Sequence, residues 1–307
     1  MDMTARDKVL LGTSTFAELD QAPLERLVES GCEIIRNPFK RKLTKGELLE
    51  LLSEDVTGLI AGLETLDREV LEKSKLKVIS RCGSGLSNVD LQAAEMLRVK
   101  VFSTPSGPTN AVAELTMACL LSLLRQVPQV DRSMHERTWD KRIGIELRDR
   151  AVAVIGFGRI GQRVGQLLTA FDAKVIVVDP AYDDNQSSFI GMKIQEALPV
   201  ADVVTLHASG MNSILGSPEF AIMKQGVFLL NAARGELIDE EALINSLETG
   251  KVAGAWLDTY REEPYSGLLC DYPQVILTSH IGSYTRECRR NMEMEAAENL
   301  LMGLRGE

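Results

Sequence analysis

Residues 151–179 read AVAVIGFGRIGQRVGQLLTAFDAKVIVVD, and this stretch decides the fold of the surrounding chain. Its first five residues, AVAVI, are all apolar, which is typical of a strand that is buried on both faces of a sheet. The following GRIGQRVGQLLTAF has helical character, and KVIVV is a second apolar strand. Strand, helix and strand in this order predict two parallel strands joined by a crossover helix.

The turn between the first strand and the helix carries the pattern GxGxxG, formed by Gly156, Gly158 and Gly161. Gly156 permits a tight turn, Gly158 lets a pyrophosphate approach the backbone, and Gly161 lets the helix pack on the strand. Arg159 and Ile160 lie in the first helical turn, whose free N–H groups and dipole favour an anion. The pattern therefore predicts a dinucleotide site.

Asp179 ends the second strand, 18 residues after Gly161. A carboxylate there can accept hydrogen bonds from both hydroxyls of an adenosine ribose, and it would repel a 2′-phosphate. We therefore predict NAD, and not NADP, as the cofactor. His207 ends a later strand, in DVVTLHA. It either contacts this cofactor or is an ordinary histidine at a strand end.

The alternation of strands and helices continues on both sides of this segment. The first hundred residues form one such series, and the chain from Ala151 to His280 forms another. The prediction is an α/β fold with two doubly wound parallel-sheet domains. Residues 110–137 predict a helix that bends or restarts at Pro128. This helix is either a connector, an arm for oligomerisation or an ordinary buried helix.

Charge and cysteine content exclude several classes of function. The 307 residues carry 34 Lys+Arg and 44 Asp+Glu, a net charge of −10, so nucleic acid and anionic membranes are not expected partners. The five cysteines are widely spaced without a CxxC, which favours reduced thiols and no metal site. The N-terminus has no signal-peptide pattern, and no apolar run approaches the length of a membrane span. We expect a cytoplasmic protein.

Hydride transfer to or from a carbonyl carbon requires a cation that polarises the oxygen, a proton donor and a group that orients this donor. Arg234 follows the strand GVFLLNAA, at the carboxyl end where α/β sheets bind ligands. Its planar guanidinium can bind a carboxylate and a neighbouring oxo oxygen together. The alternative is a surface ion pair with Glu236 or Asp239.

His280 is the candidate proton donor, because it ends the strand QVILTSH. Of the other two histidines, His207 is considered above, and His135 lies in a polar helical segment that is typical of the surface. A carboxylate that pairs with the imidazole would raise its pKa and fix its tautomer. The sequence offers both Glu262 and Glu263 for this role, in LDTYREEP.

The segments RCGSGLSNVD, VIGFGRIGQ, NAARGELIDEEAL, GAWLDTYREEP and LTSHIGSYTRE resemble the D-isomer-specific 2-hydroxyacid dehydrogenases, from about Lys77 to the C-terminus. The resemblance implies that Arg234 binds the substrate carboxylate and polarises the carbonyl. It also implies that Glu263 pairs with His280 and that His280 is the acid/base. Further roles follow from the same resemblance: Asp258 would face the nicotinamide carboxamide, Ser84 and Gly85 would offer backbone N–H groups to the substrate, and Ala232, Ala233 and Gly282 would line the cofactor.

The family layout implies a Rossmann NAD-binding domain inserted in a flavodoxin-like substrate domain. Residues 1–101 and 285–307 would form the substrate domain, and residues 102–284 the NAD-binding domain. A dimerisation arm at residues 110–142 would join two copies into a homodimer. Since the sequence ends soon after its closing helix, we expect no regulatory ACT domain.

Within the family, the subgroup that acts on 3-phosphoglycerate is nearest in sequence pattern, which implies a place in serine biosynthesis. Arg81 and Arg125 would then bind the substrate phosphate, although each could instead form a structural ion pair. The alternatives are a reductase of hydroxypyruvate or glyoxylate, and a non-catalytic NAD-sensing partner protein of the same fold. Three departures from the pattern concern Ser87, where the family usually has an acid, Pro108, where phosphoglycerate enzymes tend to have Asn, and the short segment after His207, ASGMNSILGSPEF.

Overall fold

The structure is a computed structural model that describes residues 7–53, 55–183 and 189–306. The chain divides into two compact units. The first unit consists of Met1–Pro108 and Ser283–Glu307, and the second of Thr109–Gly282.

The first unit contains a five-stranded sheet in which every pairing is parallel. Its strand order is β2-β1-β3-β4-β5, the order of flavodoxin-like sheets. The elements are β1 (Lys8–Leu11), α1 (Ala22–Glu29), β2 (Glu33–Arg36), α2 (Lys45–Leu52), β3 (Val56–Ala61), α3 (Arg68–Lys73), β4 (Val78–Arg81), α4 (Leu91–Met96) and β5 (Lys100–Ser103).

The second unit contains a seven-stranded parallel sheet in the order β12-β11-β10-β9-β6-β7-β8, which extends the Rossmann order by one strand. The chain then returns to the first unit in its last helix. The elements from α5 onwards are α5 (Pro108–Leu124), α6 (Val127–His135), β6 (Ala151–Ile155), α7 (Arg159–Ala170), β7 (Lys174–Val178), β8 (Ile190–Gly191), α8 (Ile194–Ala197), β9 (Val203–Leu206), α9 (Ser217–Ile222), β10 (Val227–Asn231), α10 (Glu240–Glu248), β11 (Val252–Leu257) and β12 (Val275–Leu277). The last helix, which belongs to the first unit, is α11 (Arg286–Leu304). The predicted α/β fold class is therefore confirmed.

The unit boundaries differ from the predicted domain boundaries. A boundary after residue 101 would divide β5, whose four residues Lys100–Ser103 all pair with β4. The first unit consequently continues to Pro108, and the chain re-enters it at Ser283 instead of residue 285.

The AVAVI strand, β6, is buried on both faces, as its sequence predicts. Val152 and Val154 point into the core that α5 and α7 cover. Ala153 and Ile155 point into the opposite core, which α8, α9 and α10 cover. This burial on both faces holds β6 in place, and with it the glycine turn that follows β6.

The helix predicted over residues 110–137 is interrupted, as expected, but at Gln126 instead of Pro128. Gln126 has a left-handed φ of +52°, and α5 and α6 meet there at 68°. Pro128 is the second residue of α6, where a missing N–H is tolerated. Among the described residues no single helix has the length and apolar character of a membrane span, and only α5 and α6 taken together reach both.

Candidate active site

The glycines after β6 form a backbone cradle. Gly156 has a φ of +88°, and a Cβ atom there would lie 2.4 Å from the backbone nitrogen of Ala208. A Cβ atom on Gly161 would lie 2.1 Å from the Gly156 oxygen, so this residue lets α7 approach the turn. No atom lies within 4 Å of a Cβ position on Gly158. A side chain on Gly156 or Gly161 would thus collide with neighbouring backbone, whereas the backbone at Gly158 remains accessible to a ligand.

This cradle fits a pyrophosphate. Gly158 is the N-cap of α7 and makes no side-chain capping bond, so the N–H groups of the first turn, with Arg159 and Ile160, are left for a ligand. The structure therefore provides the open backbone and the helix N-terminus that the GxGxxG pattern predicts.

Asp179 lies directly after β7, and the backbone orients its carboxylate. Oδ2 accepts a hydrogen bond from the Phe157 N–H at 2.7 Å, and Oδ1 accepts one from the Ala181 N–H at 2.8 Å. Each carboxylate oxygen has a second lone pair that a ribose hydroxyl can use. The bond to Phe157 also ties Asp179 to the glycine turn.

His207 follows β9, beside the glycine turn. Its backbone N–H donates to the Ile155 oxygen at 2.7 Å, and its Nε2 lies 2.9 Å from Thr205 Oγ1. Burial lowers the pKa of His207 to about 3, so the imidazole is neutral. Its Nδ1 is buried and has no hydrogen-bond partner among the described residues. Because buried polar atoms are nearly always paired, this nitrogen is a candidate contact for a bound cofactor.

Asn231 holds the turn that carries Arg234. This side chain is fully buried at the end of β10, accepts from the Ala233 N–H at 3.0 Å and donates to the Arg234 oxygen at 2.8 Å. The turn also contains Ala232, which is half-buried. The Arg234 guanidinium donates to the Ala233 oxygen at 2.7 Å.

The expected alternative for Arg234 does not occur. Within the described ranges, no carboxylate forms an ion pair with Arg234, and Asp239 instead caps α10 through the Ala242 N–H at 3.0 Å. The guanidinium is thus available to an anionic ligand.

His280 follows β12 and pairs with Glu263, which resolves the choice between Glu263 and Glu262. The Nδ1 atom of His280 lies 3.0 Å from Glu263 Oε2 and 3.1 Å from Oε1. Glu263 Oε1 also accepts from the Tyr260 N–H at 3.2 Å, which fixes the carboxylate to its own loop. The second ring nitrogen of His280, Nε2, is left as the atom that can exchange a proton with a ligand.

Asp258 holds the turn on which His280 lies. It is 1% exposed, and its oxygens accept from the backbone N–H groups of Ile281 at 2.9 Å and Gly282 at 2.8 Å. They also accept from the Thr278 hydroxyl at 2.6 Å, which in turn accepts from Trp256 Nε1 at 2.9 Å. Most of the lone pairs of this carboxylate therefore accept hydrogen bonds from within the chain. Asp258 thus holds the turn of His280 in place, in addition to its predicted contact with the nicotinamide.

Three residues in this network, Asn231, Gly235 and Thr278, did not emerge from the sequence. A Cβ atom on Gly235 would lie 2.1 Å from the Tyr260 carbonyl carbon and 2.2 Å from the Arg261 nitrogen. Gly235 thus lets the turn of Arg234 and the loop of Glu263 touch. Two features of the sequence could have identified two of these residues. Asn231 ends an apolar strand, and Gly235 directly follows a candidate catalytic arginine.

These residues share one edge of the second sheet. Strands β6, β9, β10, β11 and β12 are neighbours, and all are parallel. The glycine turn, His207, Arg234, Glu263 and His280 follow these strands at their carboxyl ends. The strand order reverses between β6 and β9, which is where open α/β sheets bind their ligands.

The predicted substrate residues of the first unit lie after β4. Arg81 ends this strand, and its guanidinium lies over Gly83 and donates to the Cys82 oxygen at 3.4 Å. Ser84 is exposed and Gly85 is half-buried in the loop that follows. Glu64 is 1% exposed; burial raises its pKa, and the charge of Arg81 opposes this rise.

Arg125 is not brought to the catalytic edge of the second unit. It is exposed at the C-terminal end of α5, 13 residues after Val112, which corresponds to about 20 Å along a helix. Val112 itself lies at the other end, where its Cγ2 atom is 3.1 Å from a Cβ position on Gly282.

Comparison with known proteins places the chain in a family. Residues 117–282 match the family model described as D-isomer specific 2-hydroxyacid dehydrogenase, NAD binding domain. The chain is 36% identical over 301 residues to D-3-phosphoglycerate dehydrogenase of Sus scrofa, covering 94% of this chain and 55% of the relative. An enzyme of the same name from Archaeoglobus fulgidus is 33% identical, covering 94% of this chain and 56% of the relative. The chain thus spans about half the length of the curated relatives it matches.

Solved structures are similar over nearly their whole length. A protein from Thermus thermophilus superposes with a TM-score of 0.90 and 34% identity, covering 98% of this chain and 97% of that chain. A glyoxylate reductase from Paecilomyes thermophila superposes with a TM-score of 0.87 and 27% identity, covering 97% and 95%. Because the family model covers more than half of the chain, the chain belongs to the D-isomer specific 2-hydroxyacid dehydrogenase family.

Proposed function

We propose that this chain oxidises a D-2-hydroxy acid with NAD, or reduces the corresponding 2-oxo acid with NADH. The observation that carries the proposal is the pairing of His280 Nδ1 with Glu263 at 3.0 Å, on the sheet edge that also carries Arg234 and the glycine cradle. This edge combines an acid/base, a cation and a dinucleotide cradle.

The chemistry follows from the roles that the side chains can take. Bound NAD would supply the hydride acceptor for oxidation, and NADH the donor for reduction. Arg234 would bind the substrate carboxylate and stabilise negative charge on the C2 oxygen. In reduction, protonated His280 would donate its Nε2 proton to this oxygen; in oxidation, neutral His280 would accept it. Glu263 would hold the imidazole orientation and stabilise its protonated form.

The cofactor is held in this proposal by the residues around β6, β7 and β9. The N–H groups at Gly158, Arg159 and Ile160 would bind the pyrophosphate. Asp179 would accept from the adenosine ribose hydroxyls, and His207 Nδ1 would gain the partner that it lacks. Ala232, Ala233, Asp258 and Gly282 would line the nicotinamide side.

For the substrate pair we propose D-3-phosphoglycerate and phosphohydroxypyruvate, which would place the chain in serine biosynthesis. The names of the pig and Archaeoglobus relatives support this substrate. In the same proposal, Ser84 and Gly85 offer backbone N–H groups to the carboxylate, and Arg81 binds the phosphate. Arg125 could serve a phosphate only from a second copy of the chain, since its own helix carries it away from the catalytic edge.

One observation favours a second candidate, a reductase of hydroxypyruvate or glyoxylate. Glu64 is almost fully buried and interacts electrostatically with Arg81. A carboxylate in this position offsets part of the positive charge that would attract a phosphate. The similarity to a glyoxylate reductase agrees with this alternative.

We also propose that two copies pair through residues 110–142. None of the residues of α6 is buried, and the segment after it exposes Trp139 at 76% and Ile143 at 94%. They are the two most exposed large apolar side chains of the described residues, and apolar surface of this kind, where it is contiguous, is typical of surfaces that contact another protein.

The proposal is tested by measuring NADH oxidation with phosphohydroxypyruvate beside hydroxypyruvate and glyoxylate. We expect turnover with at least one of them and the highest kcat/KM with phosphohydroxypyruvate. A preference for an unphosphorylated acid would support the reductase. NADH binding without turnover of any 2-oxo acid would contradict both enzymes and leave an NAD-sensing protein.

A further inference from the structure

A cavity of about 530 Å³ lies in the second unit, beside the loop that carries Glu263. It is bounded by the start of α10, by this loop and by the segment that runs on to Leu269. All of the residues that line it belong to the second unit, and none of them has a cofactor or substrate role above. Small-molecule sites in proteins have volumes in this range, so the cavity is large enough for a ligand.

The side chain of Thr259 lies on the cavity side of its segment. Leu257 and Thr259 both line the cavity. Asp258, between them, instead accepts hydrogen bonds from the turn of His280. Successive side chains of an extended chain point to opposite sides, and this alternation continues from β11. The Thr259 side chain is therefore directed toward the cavity.

The hydroxyl of Thr259 lacks a partner. This residue is 3% exposed, and its Oγ1 forms no hydrogen bond in the parts of the chain that the structure describes. A buried hydroxyl without a partner is costly, and a valine would fill the same space without that cost. The hydroxyl therefore does not serve packing, and it points to a hydrogen-bonding group on an occupant of the cavity.

The charged residues around the cavity are mostly acidic. Four carboxylates and one guanidinium line it, an excess of three negative charges: Asp239, Glu240, Glu241, Glu262 and Arg261. Asp239 caps α10, and Glu240 accepts from the Tyr265 hydroxyl at 2.7 Å. Glu241 and Glu262 are exposed, and within residues 189–306 neither forms an ion pair or a hydrogen bond. These two carboxylates are available to a cation, which the excess of negative charge attracts.

The rest of the lining is apolar and aromatic. Leu243, Leu257 and Leu269 are buried in it, and the rings of Tyr260 and Tyr265 stack with their centroids 4.4 Å apart. The hydroxyls of these tyrosines are already engaged, with the Leu257 oxygen at 2.9 Å and with Glu240. The tyrosines therefore offer ring surface, which packs against apolar groups and attracts cations.

We propose that this cavity binds a small organic cation, a primary amine on an apolar stem that ends in a hydrogen-bonding group. The ammonium group pairs with Glu241 and Glu262, where the carboxylates are exposed. The stem packs against the leucines and the tyrosine rings, and its far end forms a hydrogen bond with the Thr259 hydroxyl. This site goes beyond the proposed dehydrogenase function, and it uses none of the residues assigned to NAD or to the substrate.

The test measures binding by isothermal titration calorimetry in the presence of saturating NADH. Tyramine is the probe, because it carries an ammonium group and a phenolic hydroxyl at opposite ends of an apolar stem. We expect tyramine to bind about 5-fold or more tightly than 2-(4-hydroxyphenyl)ethanol, which has a neutral hydroxyl in place of the ammonium. Phenethylamine, which lacks the phenolic hydroxyl, should bind about 3–10-fold more weakly than tyramine.

Thr259→Val tests the hydrogen bond to the stem. This variant should lower the affinity for tyramine by about 3–10-fold and leave the affinity for phenethylamine unchanged, because phenethylamine has no group that reaches the hydroxyl. The variant removes a buried group without a partner, so its thermal stability should equal or exceed that of the wild type. An equal loss of affinity for both amines would show a change in packing and overturn the role of Thr259.

Glu241→Gln combined with Glu262→Gln tests the charge. The double variant should bind tyramine about 5-fold more weakly and 2-(4-hydroxyphenyl)ethanol equally well. Glu248→Gln is the matched control: it removes the same charge from the other end of α10, does not line the cavity and should retain wild-type affinity.

Three results would overturn the proposal. The first is no binding of tyramine at millimolar concentration, and the second is equal binding of tyramine and its neutral analogue to the wild type. The third is displacement of tyramine by NADH, which would place the amine in the dinucleotide cradle. Since the readout is binding, none of these results depends on whether the chain reduces a 2-oxo acid.

Discussion

The imidazole of His280 is held through Nδ1, which lies 3.0 Å from Glu263 Oε2. A carboxylate at this nitrogen stabilises the protonated ring and leaves Nε2 for the substrate. We expect Glu263→Gln to lower kcat by on the order of 10²-fold, because a neutral amide no longer stabilises the imidazolium. His280→Asn should lower it further. NADH oxidation at saturating 2-oxo acid measures kcat, and NADH fluorescence checks that cofactor binding is retained.

Glu262→Gln provides the control for this experiment. Glu262 is exposed and adjoins Glu263, so the variant makes the same charge change in the same loop. It should retain wild-type kcat. Equal losses in the two glutamine variants would mean that loop charge, and not the pairing with His280, determines the rate.

His207 makes the stability of the protein depend on pH. Burial holds the pKa of His207 at about 3, below the value of about 6.5 expected in the unfolded chain. Between these values the unfolded chain binds a proton that the folded protein does not, so stability falls as the pH falls below about 6.5. From pH 7 to pH 5 this difference in proton binding lowers the free energy of unfolding by about 2 kcal/mol. This decrease should be absent from His207→Asn when its free energy of unfolding is measured with urea at both pH values.

The other histidine available for comparison is His135, which is exposed on α6. His135→Asn should reproduce the wild-type loss of stability between pH 7 and pH 5. If the His207 variant also reproduced it, a buried neutral imidazole would not be the source of the pH dependence.

At the scale of elements, the contact between two loops depends on a missing side chain. A Cβ atom on Gly235 would lie 2.1 Å from the Tyr260 carbonyl carbon, in backbone that cannot rotate away. Gly235→Ala should therefore separate the turn of Arg234 from the loop of Glu263. We expect a loss of about 1–3 kcal/mol in unfolding free energy and a clear fall in kcat.

Gly46→Ala tests whether an added methyl group is harmful in itself. Gly46 lies within α2, and no atom is within 4 Å of its Cβ position. Since alanine favours helix, this variant should gain about 0.5–1 kcal/mol and retain activity. Retained kcat in Gly235→Ala would mean that the catalytic residues tolerate separation of the loops.

The elements that the sequence could predict are those governed by local pattern. Strand β6 could be predicted from its continuous run of apolar residues, which is typical of a strand buried on both faces. The turn after it could be predicted from glycines at positions where a side chain would collide with the backbone. Thr44 caps α2 together with Glu47, as this pair predicts. The exact break between α5 and α6 was missed, because the chain turns at Gln126, which has a left-handed backbone, and Pro128 is accommodated in the first turn of α6.

The contacts that the sequence could not predict join residues far apart in the chain. Asp258 reaches Ile281 and Gly282 across 23 and 24 residues, and nothing in the local pattern of either segment shows this. The distance of Arg125 from the catalytic edge could not be predicted either, because it depends on the direction and length of α5. The buried pair of Arg289 and Glu293 has ordinary helical spacing, i and i+4, and only its burial distinguishes it from a surface ion pair.

At the scale of the whole molecule, the net charge of −10 opposes association, so a dimer requires apolar surface to hold it. Trp139 and Ile143 supply such surface in the proposed arm, and light scattering should give twice the chain mass of 33.8 kDa. Replacing both by Ser should shift the protein to the chain mass at micromolar concentration, because the interface loses two large apolar contacts. Met96→Ser, which removes a side chain that is 68% exposed on α4, should leave the dimer intact. A wild type with the mass of a single chain would exclude this arm as an interface.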